Sequence, residues 1–114
     1  MKKTVIAISA GLALGLGVSN AQAAGGKTAA QELGCTACHG ATTKLVGPSF
    51  QAVGKRYNSD KGKLLEVVKH NVKQGGSGNW TDVTGGTPMP PQPQAAGKTK
   101  KLKAIAGWIA DLAK

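Results

Sequence analysis

The residues Gly34 to Gly40 read Gly-Cys-Thr-Ala-Cys-His-Gly, with Cys35 and Cys38 three positions apart and His39 next in line. A Cys-x-x-Cys pair serves three chemistries: a redox disulfide, half of a zinc site, or covalent attachment of haem. A structural zinc site takes four ligands, commonly two such pairs or a Cys2His2 set. This chain holds one pair and two histidines, and the second, His70, lies ~160° around its predicted helix from Val68, on the polar face. A redox disulfide is expected beside a βαβ pattern, and no period-2 strand pattern is visible. Haem attachment uses all three residues. The thiols add to the haem vinyl groups as thioethers, and the adjacent histidine brings its imidazole under the iron.

The ends of the chain bear on that choice. Lys2 and Lys3 precede an uncharged apolar run, Thr4 to Val18, and then Ser-Asn-Ala-Gln-Ala-Ala with small residues at A-x-A spacing. This is the pattern of a secretory signal peptide, residues 1–23, with cleavage expected after Ala23. The run is shorter than the ~20 residues of a spanning helix, and Gly11, Gly15 and Gly17 weaken it further. No cysteine marks a lipoprotein anchor at the cleavage site, and no Arg-Arg pair precedes the run. The chain is therefore expected to cross the membrane unfolded and to acquire any cofactor outside the cytoplasm.

Removing residues 1–23 from 114 leaves 91 residues, one small domain over 24–114, and takes the net charge from +10 to +8. That domain has four aromatic residues, Phe50, Tyr57, Trp80 and Trp108. So small a chain buries a modest fraction of its surface, and a disulfide closing a three-residue loop adds little. Small domains make up such a deficit with metals, disulfides or cofactors. The composition thus asks for a cofactor large enough to serve as core.

The elements that must position the site are helical. Ala24 to Lys27 reads as a loose N-terminus, and Thr28 to Leu33 as a short helix leading into Cys35. Phe50, Val53 and Tyr57 recur at helical spacing, with Ser49 as N-cap. Asn58 to Gly62 reads as a turn. Lys63 to Gln74 is a helix with Leu65, Val68 and Val72 on one face, stopped by Gly75 and Gly76. A long irregular segment follows, of the length that compact domains keep for function. The last helix carries Leu102, Ile105, Ile109 and Leu112 as one stripe, with Trp108 beside it.

His39 leaves one iron position open. Met89 is the one methionine outside the signal segment, and His70 and the lysines are the alternatives. A thioether binds iron weakly, so a loop that holds it in advance helps. In Thr-Pro-Met-Pro-Pro, Pro88, Pro90 and Pro91 each fix φ, and Met89 is pushed towards extended geometry by the proline after it. That spares an ordering cost of ~1–2 kcal/mol per backbone residue.

With Cys-Thr-Ala-Cys-His, Val46-Gly47-Pro48, the helix before Gly75, Asn79-Trp80, Pro88-Met89-Pro90-Pro91 and a last helix containing Trp108 in this order, the chain resembles the monohaem class I c-type cytochromes. The likeness is to the small bacterial cytochrome c-551 type and covers most of residues 24–114. It implies an all-α fold, three to five helices wrapped around one covalently bound haem c. It implies thioethers at Cys35 and Cys38 and axial iron ligands at His39 and Met89. It also implies that the Pro48 carbonyl accepts the His39 Nδ1–H, and that the Trp80 indole meets a haem propionate. His/Met ligation raises the reduction potential. Two departures stand out. Residues 81–87 are longer than in the shortest family members, which leaves the path of that loop open. Asn71 stands where some relatives place an arginine for the propionates.

The functional expectation is a soluble, monomeric, periplasmic electron carrier and not an enzyme, because protein occupies both axial positions. Thr36, Ala37, Val46 and Pro90–Pro91 are expected to form an apolar contact patch near the haem edge. The basic charge favours redox partners with acidic docking surfaces, with Lys44, Lys55, Lys98, Lys100 and Lys101 as candidate rim residues. Neither nucleic acid nor a membrane anchor is expected. The competing readings are a sensor or peroxidase-like enzyme with a displaceable sixth ligand, and a haem subunit of a larger redox complex.

Overall fold

The structure, a computed structural model, describes residues 17–114. Residues 1–16 of the expected export signal lie outside the described residues. Five α-helices and one 3-10 turn follow in order: α1 (Gly17–Glu32), the 3-10 turn (Cys35–Ala37), α2 (Phe50–Arg56), α3 (Lys61–Gln74), α4 (Thr81–Thr84) and α5 (Thr99–Leu112). Among the described residues there is no strand, only isolated bridges joining His39 to Lys44 and Gly76 to Met89. The expected all-α architecture is the one observed.

The last helix, α5, is the hub, packing against α1, α2 and α3. Its Leu102, Ile105 and Ile109 are fully buried together with Leu64 of α3, and Leu112 completes the stripe half-buried. Two glycines let helices approach it closely. A Cβ on Gly26 would run into Ala104 and Trp108, and one on Gly54 would lie 2.8 Å from the Cβ of Ala113. These are the close crossings that only small residues permit.

Three local expectations are corrected. Ala24 to Lys27 is part of α1 and not a loose end, because Gly26 seats the helix on α5 and burial of Ala29 and Ala30 extends it; most helical stability comes from such packing. Next, α3 starts at Lys61, two residues early, because Asp60 is its N-cap and accepts from the Lys63 amide at 3.0 Å. Lastly, its fully buried leucine is Leu64, with Leu65 and Val68 half-buried beside Val72. Leu64, Val68 and Val72 at i, i+4 and i+8 form the true stripe. Ser49 caps α2 as expected, accepting from Ala52 N at 3.0 Å.

Candidate functional site

The 3-10 turn carries Cys35 and starts after Gly34, whose φ of 81° ends α1. Both cysteines are unpaired and half-buried. Burial pushes the Cys35 thiol up, since an apolar setting disfavours the thiolate, and a backbone hydrogen bond offsets part of this.

His39 is held by the loop that follows it. That loop turns back on itself through Gly47 N to Cys38 O at 2.8 Å and Phe50 N to Gly40 O at 2.9 Å. The turn brings the buried Pro48 carbonyl 2.8 Å from His39 Nδ1. With Nδ1–H donating there, Nε2 is the ring nitrogen left free to ligate. Phe50 stacks on the imidazole, with centroids 5.1 Å apart, and is itself braced edge-on by Trp108 at 5.2 Å. Gly47 passes so close that a Cβ would stand 2.6 Å from His39 Cε1.

Met89 is held from its backbone. Gly76 N donates to Met89 O at 2.8 Å, and Met89 N donates to Gly76 O at 3.0 Å. Gly75 (φ 67°) and Gly76 (φ 102°) adopt the left-handed geometry that makes this pairing possible. The prolines around Met89 therefore set its local shape, while the Gly-Gly stop of α3 sets its position.

All six residues expected in the site, Cys35, Cys38, His39, Pro48, Trp80 and Met89, line one cleft. Counted out to its open mouth it encloses about 1180 Å³, and Val53, Val68, Ile105 and Ile109 supply apolar wall. His70 is not in this cleft, and it is exposed. Trp108 packs on Phe50 and α1 rather than lining the cleft.

The segment 81–87 takes a definite path. Thr81–Thr84 form α4, closed by Gly85 in the left-handed region. Ser77 Oγ donates to the Gly86 carbonyl at 3.2 Å. Thr84 and Thr87 join the cleft wall beside Trp80.

A family model described as cytochrome c matches residues 23–113. The chain belongs to the cytochrome c family. It is 41% identical over 76 residues to a cytochrome c-551 of Azotobacter vinelandii, covering 67% of this chain and 83% of that protein. It is 37% identical over 109 residues to a cytochrome c-552 of Hydrogenobacter thermophilus, covering 96% of each. Among solved structures it is similar to cytochrome c552 of Nitrosomonas europaea, with a TM-score of 0.61 and 34% identity over 75% of this chain and 98% of that one.

Membership implies one covalently attached haem c, and the pair Cys35 and Cys38 fits its attachment motif. The residues present fit the group: an open apolar cleft, two free thiols on its wall, and an imidazole whose outer nitrogen is already bonded. A small haem c electron carrier that meets redox partners is the function the family supports.

Several contributors escaped the sequence reading. Gly75 and Gly76 were read as a helix stop and Gly47 as part of Val46-Gly47-Pro48, but not as the residues that hold Met89 and crowd His39. Phe50 was read as core and also backs the imidazole. Leu45, 45% exposed beside Val46 at 56%, extends the apolar patch. Arg56 lies over the Trp80 ring, and no spacing rule connects those two positions.

Proposed function

We propose that this cytochrome c is a soluble electron carrier with His39 and Met89 as the axial iron ligands and no enzymatic activity. The observation that carries the reading is that both side chains line one cleft and each is held from behind. His39 is fixed through Nδ1 to Pro48 O, and Met89 through two backbone bonds to Gly76. The haem supplies an iron that alternates between ferrous and ferric. The chain's part is to keep both ligands still. Pro48 orients the imidazole and sharpens its basicity, Phe50 blocks ring movement, and the Gly76 pairing spares Met89 an ordering cost. The apolar wall limits water, which favours the less charged ferrous state.

The partner surface in this reading is the exposed stretch Leu45–Val46 with Thr36, Ala37, Pro90 and Pro91, all exposed. Val46 and Pro90 belong to the rim of the cleft, and Lys44 adjoins them. The net charge of +8 over residues 24–114 favours partners with acidic surfaces and association that slows as salt rises. Export rests on the Lys2–Lys3, apolar run and Ala-Gln-Ala pattern. No helix among the described residues is long and apolar enough to cross a membrane.

The oxidised protein is expected to show the weak red absorbance band of a methionine–iron bond, and the reduced protein to bind CO slowly. Absence of the band together with fast CO binding would favour the sensor or peroxidase-like reading instead. Recovery from the periplasm at the mass of residues 24–114 plus one haem tests export.

A further inference from the structure

Arg56 ends α2, and its guanidinium meets three residues of the segment that carries Trp80. Its Cζ stands 3.6 Å from the Trp80 ring centroid. Its Nη1 donates to the Asn79 carbonyl, and its Nη2 faces Asp82 Oδ2 at 3.4 Å. The Arg56 side chain is 30% exposed, whereas that of Asp82 is 67% exposed. The ion pair is therefore solvent-screened and weak, and the ring stacking and carbonyl bond are the contacts that matter. Stacking and forked donation together are what a planar guanidinium does and an ammonium does not. Arg56 is the chain's single arginine; every other strongly basic side chain is a lysine.

Trp80 is 8% exposed and lines the haem cleft. Apart from His39 and the two thiols, no side chain lining that cleft is titratable among the described residues. A haem nevertheless brings two propionate carboxylates. Neutral donors such as Trp80, Asn71 and Thr84 line the cleft to meet them, and a cation attached to the wall from outside adds the positive charge that the lining lacks.

We propose that Arg56 is a positioning residue for the haem: it clamps Trp80 as a wall of the cleft and lends that wall the positive charge it lacks. The inference rests on the cleft being the haem site, which the covalent haem spectrum of the parent protein tests separately.

The test uses the holoprotein and its variants Arg56→Gln, Arg56→Lys and, as a neighbouring-charge control, Lys55→Gln. Two quantities are read in the ferrous state and in redox titration: hydrogen exchange at the Trp80 indole N–H by NMR, and the equilibrium with a fixed mediator. Arg56→Gln is expected to speed indole exchange about tenfold, and to shift the redox equilibrium about threefold towards ferric, because a lost positive charge favours the more positive iron. Arg56→Lys is expected to keep the redox equilibrium and still speed exchange, since it retains the charge but not the planar stack. Lys55→Gln is expected to change neither. If Arg56→Gln lowers the melting temperature but leaves exchange and redox equilibrium at parental values, Arg56 is merely structural and the proposal fails. An equal redox shift in Lys55→Gln also overturns it, because the effect would then be one of net charge.

Discussion

Replacing Gly47 with alanine isolates how the imidazole is held. Gly47 is not among the residues with positive φ, so alanine suits its backbone and any effect reports the contact. The new Cβ would lie 2.6 Å from His39 Cε1, 3.0 Å from Nδ1 and 3.3 Å from Nε2. Carbon atoms rest ~3.5–4.0 Å apart, so the ring has to retreat by ~1 Å. Phe50 is stacked on it and braced by Trp108, which leaves the ring little freedom to slide. The 2.8 Å bond from Nδ1 to Pro48 O is the contact that gives. Losing it costs ~0.5–1.5 kcal/mol, and overpacking adds ~1–3 kcal/mol. At ~4–8 °C per kcal/mol for a domain of this size, the melting temperature is expected to fall by roughly 6–36 °C. The Pro48 carbonyl makes the imidazole a stronger donor, which favours ferric iron, so its loss raises the reduction potential. If ferric iron draws ~1 kcal/mol more from this bond than ferrous iron, the rise is about 40 mV, at ~59 mV per tenfold for one electron. Spectroelectrochemical titration and thermal melting of the holoprotein measure both. An unchanged potential with an unchanged melting temperature would refute the reasoning, because the ring would then not be confined by Gly47.

Three more expectations follow from other parts of the molecule. Gly107→Ala in α5 meets nothing within 4 Å and should stabilise by ~0.8–1 kcal/mol through helix propensity, read as a higher denaturation midpoint. Ser59 carries a φ of 56°, so Ser59→Gly should relieve ~1 kcal/mol of left-handed strain, again read from the unfolding midpoint. The double variant Cys35→Ser, Cys38→Ser should carry no haem after denaturing electrophoresis and lose native near-UV circular dichroism, since the cleft walls lose what fills them.

The helices with a strong apolar stripe were legible because burial against α5 agrees with their local period. The missed portions depended on contacts distant in sequence. Ala24 to Lys27 carries two weak helix formers, Gly25 and Gly26, and only the crossing with Ala104 and Trp108 explains why it is helical. Asp60 was read as part of a turn, yet a turn aspartate before a helix is also a cap, and the structure uses it so. In the site, Cys35, Cys38 and His39 were legible because covalent chemistry demands their spacing. Met89 was singled out because few alternatives existed, and the fold brings it to the same cleft. The Gly76 pairing and the Arg56 stack were not, because each joins segments whose approach is set by the fold of α2 and α3 rather than by any pattern in either segment.

That α5 is the hub has a consequence in time. It lies C-terminal to α1, α2 and α3, and all three pack against it. Closing α1 onto α5 spans about 66 residues, a loop-closure cost of ~4 kcal/mol before any contact repays it. Until α5 is in place, α1, α2 and α3 lack the helix surface they share. A chain of this design keeps its two thiols reachable until α5 docks, and that interval is the one open to haem addition.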